Sequence, residues 1–243
     1  AAAQQSGTGF AGALAGSGSV NNVDADTLAA VRRSTVDAAG SVEVSAHNGA
    51  EIIAGAGVLA IAFGVSTQGT AAAVAIGGSF AVNRIDGDGE GNLTWAEVDH
   101  SRITAGDAIT VDADSTGKIL SLAIGAAGSL GASTTGTAVG VSLAGSVGYN
   151  KVRNNTQARV RGDSVLQNRS GSSSGIAITA EDESSIVSVA GAAALSFAVS
   201  QETAIAASLG FSLTVNEIEN TLVAESVDSD IRSAGSVTVS ADS

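Results

Sequence analysis

Large and small side chains alternate along most of this chain, and the alternation restarts in the same phase four times. Counting back from Asn21, every second residue is small: Ser19, Ser17, Ala15 and Ala13. Asn83 is preceded in the same way by Ala81, Ser79, Gly77 and Ala75, and Asn150 by Gly148, Ser146, Ala144 and Ser142. Before Asn216 the set is Thr214, Ser212, Gly210 and Ser208. The positions between are mostly large, as in Val82, Phe80 and Ile76, or Val215, Leu213 and Leu209. A period of two places alternate side chains on opposite faces of a strand, so each stretch predicts a strand, B, with one face of small residues. A second strand, A, repeats the split from Ile53 to Ser66: Ala54, Ala56, Ala60, Ala62 and Gly64 oppose Ile53, Leu59, Ile61 and Phe63.

These strands belong to a tandem repeat. A Gly-Thr or Glu-Thr turn recurs at Thr8, Thr70, Thr137 and Thr203, and an asparagine at Asn21, Asn83, Asn150 and Asn216; both series step by 62, 67 and 66 residues. The units are approximately 8–69, 70–136, 137–202 and a partial 203–243. Strand C follows the asparagine, as in Thr94 to Val98 and on to Ser101 and Ile103. An Ala-Gly turn (Ala39-Gly40, Ala105-Gly106, Ala234-Gly235) then leads to strand D: Val42/Val44/Ala46, Ile109/Val111/Ala113, Ile176/Ile178/Ala180 and Val237/Val239/Ala241. Extra residues fall in turns, at Asp86 to Gly91 and Asn168 to Gly175, as stacked repeats tolerate. The pattern begins and stops inside a unit, so the chain is expected to be a segment of a longer array.

Charge gives the register. Aligning the C strands on Ala29, Ala96, Ala158 and Ala224 places Ala30, Glu97, Arg159 and Glu225 in one column, and Arg32, Asp99, Arg161 and Val227 in the next outward one. The sign alternates wherever successive copies are both charged, which favours neighbouring strands about 5 Å apart. The expected fold is all-β: a parallel β-solenoid, a wide and flattened β-helix of about four repeats of 62–67 residues. Pattern alone leaves open whether one repeat is one coil or whether A and B form a hairpin beside a smaller solenoid. The asparagines are expected to stack as a side-chain ladder or to cap a turn. The all-small faces predict a thin, dry layer between sheets closer than the usual separation of about 10 Å. The alternative is a flat exposed face for ice or polysaccharide, but only Thr214 supplies a threonine in these columns.

Composition narrows the function. A net charge of −13, from 11 Lys and Arg against 24 Asp and Glu, opposes a nucleic-acid partner. The absence of cysteine excludes disulfides, a thiolate nucleophile and Cys-based zinc sites. Disorder is not expected at 44% hydrophobic residues without proline. The apolar run Ile52 to Val65 is broken by Gly55, Gly57 and Gly64 and reads as a strand; one Trp and one Tyr cannot form the aromatic girdles of a membrane barrel. Membrane insertion is therefore not expected. Ala1 to Gly9 shows no signal-peptide pattern.

Two segments, Ser101-Arg-Ile-Thr-Ala-Gly-Asp-Ala-Ile-Thr-Val-Asp-Ala and Ser229-Asp-Ile-Arg-Ser-Ala-Gly-Ser-Val-Thr-Val-Ser-Ala, resemble coils of filamentous-haemagglutinin-like adhesins. They are also similar to repeat regions of giant, low-cysteine bacterial surface proteins. The resemblance covers roughly a third of each unit. It implies an exported right-handed solenoid, extracellular or on the cell surface, serving as a stalk or adhesive passenger. The unit length and the Ala/Gly-rich A and B strands depart from that family's short coils.

One segment carries candidate metal chemistry. Asp86-Gly-Asp88-Gly-Glu90-Gly-Asn92-Leu-Thr-Trp-Ala-Glu97 has the EF-hand loop spacing. Asp86, Asp88, Glu90, the carbonyl of Asn92 and Glu97 would wrap calcium, which needs six to eight oxygens. The flanks read as strands, Glu97 also has a place opposite Arg159, and the segment occurs in one copy of four, so the fold does not depend on it. His47 and His100 read as surface residues at strand edges or turns. Arg161-Gly162-Asp163 matches a cell-attachment tripeptide, but Arg161 already fits the charge column. No acid, base and nucleophile set recurs, so the expectation is a structural spacer rather than an enzyme. Its partners would be neighbouring repeats of a parent protein and, through open strand edges, other copies end to end.

Overall fold

Each alternating stretch forms a strand, and no helix occurs among the described residues. The structure is a computed structural model that describes residues 2–4, 7–87, 90–169 and 171–243. In chain order the strands are β1 (Ala2–Gln4), β2 (Gly9–Val23), β3 (Thr27–Arg32), β4 (Thr35–Ala38), β5 (Val42–Gln68), β6 (Ala71–Ile85), β7 (Asn92–Asp99), β8 (Arg102–Ala105) and β9 (Ile109–Thr135). Then come β10 (Thr137–Val152), β11 (Asn154–Arg161), β12 (Val165–Asn168), β13 (Ile176–Asp182), β14 (Ser185–Ser200), β15 (Thr203–Ile218), β16 (Thr221–Ser226), β17 (Asp230–Arg232) and β18 (Val237–Asp242).

Equivalent strands of successive repeats pair in parallel and make four sheets. The B strands order as β2-β6-β10-β15; two short-strand sheets follow, β3-β7-β11-β16 and β4-β8-β12-β17. The long sheet runs β1-β5-β9-β13-β18, with β14 also on β9. This is a parallel β-solenoid of about four repeats, and each repeat is one coil. Asn21, Asn83, Asn150 and Asn216 are direct register partners, as are Ala30, Glu97, Arg159 and Glu225.

The division into strands differs from the expected one in two places. Strand C is two strands, because the chain turns a corner at residues with left-handed backbone: Arg33 (φ 47), His100 (φ 45), Asp163 (φ 57) and Asp228 (φ 48). In two coils strands D and A are one, because nothing there turns the chain: β5 and β9 each run 27 residues, and even-numbered positions of β5 face inward; in the third coil they stay separate as β13 and β14. Nor is A–B a hairpin. Left-handed Gly69 (φ 98) and Gly136 (φ 109) turn the chain onto a facing sheet, and the ladders run along the solenoid axis to the neighbouring coil.

In cross-section each coil has a head and a blade. The head encloses large side chains where the start of the long sheet meets both short-strand sheets: Val98, Ile103, Ile109, Val111, Leu166 and Ile178 are all fully buried. Burying one such side chain stabilises by about 1.5–3 kcal/mol, so the head anchors each coil. In the blade, the rest of the long sheet lies against the B sheet across a layer of Ala, Gly and Ser. A Cβ placed on Gly77 would lie 2.3 Å from the Ala126 carbonyl oxygen, and one on Gly125 would lie 2.2 Å from that of Gly145. The two backbones are too close for even a methyl group at these points. In the central coils the small-residue face is therefore the interior of the blade and not an open face for ice or polysaccharide; on β15, at the end of the stack, it is exposed. Its large counterparts point outward on both sides.

Candidate functional site

The described residues of the Asp86–Glu97 segment divide between a turn and the strand β7. Asp86 follows β6 half-buried, Glu90 is exposed, and Asp88 lies outside the described residues. Asn92 opens β7 and is fully buried; its Oδ1 accepts the Ala25 N–H at 3.2 Å and its own N–H donates to the Arg153 carbonyl at 3.0 Å. Glu97 sits five residues further along the same extended strand, about 17 Å away and on the opposite face. An EF-hand needs its twelfth residue to fold back over the ion, and a strand cannot do that.

Glu97 is committed elsewhere. It is 3% exposed, capped by Arg32 (Nε to Oε2 2.8 Å) and by Arg161 (Nη2 to Oε1 2.5 Å). Its register partner Arg159 instead meets Glu225 at 3.0 Å and lies over the Trp95 ring at 5.9 Å. The charge columns predicted the register and two of the pairs, Arg159–Glu225 and Arg161–Asp99 at 3.5 Å, but not the partners of Glu97, because arginine is long enough to reach diagonally across two residues. One buried carboxylate thus bridges arginines of the coils on either side. Arg161 is held in this bridge, and Gly162 and Asp163 form the adjoining left-handed corner.

Amides and hydroxyls tie the coils together along the axis. Asn21 donates to Asn83 at 2.8 Å, Asn83 to Asn150 at 2.8 Å, and Asn150 to Asn216 at 2.9 Å, each Nδ2 to the next Oδ1. A serine series was missed in the sequence. Ser34 N–H donates to Ser101 Oγ at 3.0 Å and Ser101 N–H to Ser164 Oγ at 3.1 Å, while each hydroxyl donates to a carbonyl of its own coil. Ser34, Ser101, Ser164 and Ser229 recur at steps of 67, 63 and 65, so the period was there to be read.

The remaining titratable groups form surface pairs. His47 lies mid-strand on the exposed face of β5, 2.8 Å from Asp114; His100 sits at a corner, 3.0 Å from Asp99. At the base of the blade, Tyr149 donates to Glu217 at 3.0 Å, and this bond chiefly raises the phenol above its ordinary range. Glu219 is lowered to about 2, first by its hydrogen bond with Glu217 and then by Lys151 and Arg153. Among the described residues, no three His, Asp or Glu side chains converge as a metal site.

Both outer faces of the blade are apolar. On the long-sheet side Ile53, Leu59, Ile61 and Phe63 are exposed, and on the B side Phe10, Leu14, Ile76 and Phe80. Each side carries an open groove, one beside Ala126 and Gly128 and one beside Gly78 and Gly145. An isolated exposed Leu is ordinary, but contiguous apolar patches mark interaction surfaces. Compared with protein-family models, with curated proteins and with solved structures, the chain matches none.

Proposed function

We propose that the chain is a rigid structural spacer, an adhesin-like stalk segment of a large exported bacterial surface protein. The observation that carries this reading is the unbroken coil-on-coil register. Every sheet is parallel, and each coil presents the next with the same ladder of backbone groups and asparagine amides. Such a stack grows by about 4.8 Å per coil with no change of cross-section, which suits a spacer. The resemblance of the Ser101 and Ser229 segments to haemagglutinin-like coils supports an exported setting. Glu97, Arg32, Arg159, Arg161 and the asparagine and serine series are engaged in structural pairs, which supports a structural reading of these groups.

Single-molecule pulling through the two termini tests the spacer reading. A stacked solenoid should resist load and release length in steps of one coil, 62–67 residues each. Collapse at low force in one step would contradict a load-bearing role.

A further inference from the structure

We propose that the outer face of the B sheet (β2, β6, β10, β15) is a self-association surface whose occupant is the same face of a second copy of this chain. The outward positions from Phe10 to Val20, and their register partners in the other three coils, hold no charged residue and only one polar one, Tyr149. Leu14 is 82% exposed, Phe10 62% and Phe80 49%. These Val, Ile, Leu and Phe side chains are the ordinary lining of a sandwich core, large enough to interdigitate with another sheet about 10 Å away.

The relief of this face is self-complementary. Leu14, Ile76, Leu143 and Leu209 are register partners and form a ridge parallel to the solenoid axis. Two residues along each strand, Gly16, Gly78 and Gly145 form the floor of a groove beside it, closed at one end by the Phe211 ring over Gly145. The groove measures about 410 Å³. A two-fold axis parallel to the solenoid axis, midway between ridge and groove, lays each copy's ridge over the other's groove. Knobs and holes then sit at equal heights, because both repeat at the rung spacing of about 4.8 Å. A lipid surface has no such period.

Size and charge agree with this occupant. Eleven residues by four rungs span about 36 by 19 Å, roughly 700 Å² per copy and 1,400 Å² in all, within the range of specific interfaces. The two-fold reverses strand direction, so the Arg84, Lys151 and Glu217 column at the base of one blade lies over the threonine column at the tip of the other, outside the apolar patch; only Glu217 comes beside a like charge, the exposed Glu202. The long-sheet face has a dent at Ala126 and Gly128 but no glycine column, since its register partners there are Leu59 and Ile61 on one side and Ala193 and Leu195 on the other.

Sedimentation equilibrium on the whole chain tests the proposal, with circular dichroism to check that each variant keeps its β content. The wild type is expected at twice the 23.4 kDa of one chain. Ile76→Asp on the ridge should raise the dimer dissociation constant about 100-fold or more, by burying a carboxylate in each copy. Gly78→Leu should weaken the dimer by filling the groove; its Cβ would meet nothing within 4 Å in the single chain, so folding is spared. Ile61→Asp, on the opposite face, should leave the dimer intact. A monomeric wild type, a dimer that survives both B-face variants, or one lost through Ile61→Asp instead would each overturn the proposal. So would a monomer that co-sediments with phosphatidylcholine–phosphatidylglycerol vesicles and loses that binding on Ile76→Asp.

Discussion

Asn83 shows how a single residue holds two coils to a third. Its amide donates to Asn150 and to Ser121 while its carbonyl oxygen accepts from Asn21, all in a fully buried position. Asn83→Ala leaves the Asn21 amide with Ser19 alone and takes the donor from the Asn150 side-chain carbonyl oxygen, and should cost about 1–3 kcal/mol, read from the denaturant midpoint. The blade glycines give a second contrast. Gly77→Ala forces a methyl group against the Ala126 carbonyl and should destabilise by about 1–3 kcal/mol. Gly55→Ala, on the open outer face, should be neutral or stabilise by up to about 1 kcal/mol. If both variants melted alike, the close approach of the two sheets would be wrong. Glu219 provides a pH signature: a carboxyl lowered to about 2 from 4.5 contributes stability that is complete above 4.5 and is lost as pH falls through about 2. Glu219→Gln should therefore melt below the native chain at neutral pH, and the gap should close on acidification across that window.

At the scale of elements, the sequence carried what recurs and hid what does not. The alternation of small and large residues before each asparagine fixed the strands, their faces and their register, since every coil must repeat the geometry of the one beneath it. The corner between the two short-strand sheets escaped, because Arg33, His100, Asp163 and Asp228 share a backbone conformation but no side-chain chemistry, and the serine that follows each was the recurring mark left unread. The continuity of β5 and β9 escaped because a strand that passes from head to blade changes its neighbours without changing its period. In the candidate calcium segment, spacing groups Asn92 with Glu97, whereas a strand carries residues apart at about 3.3 Å each. With Glu97 held by Arg32 and Arg161, calcium is expected to leave the melting temperature unchanged; a rise that Asp86→Ala abolishes would restore a site built on that turn.

Across the whole molecule, stability comes from two unlike layers. The head buries ordinary aliphatic side chains, whereas the blade, beyond the Ile52, Ile85, Ile119 and Val152 cluster at its base, buries mostly small side chains and relies on backbone ladders shared between coils. Hydrogen exchange should therefore be slowest in the two central coils of both parts and fastest at the outer coils, whose edge strands lack a neighbour on one side. Everything at smaller scales depends on repeats being coils stacked in register. The most direct measurement is disulfide trapping, made clean by the absence of native cysteine. Ile53 and Leu120 are outward register partners 67 residues apart, so Ile53→Cys with Leu120→Cys should close readily, as Cα atoms about 5 Å apart allow. Ile53→Cys with Leu122→Cys, offset by two residues to about 8 Å, should stay open. Closure of the offset pair in preference to the register pair would contradict the stacked solenoid.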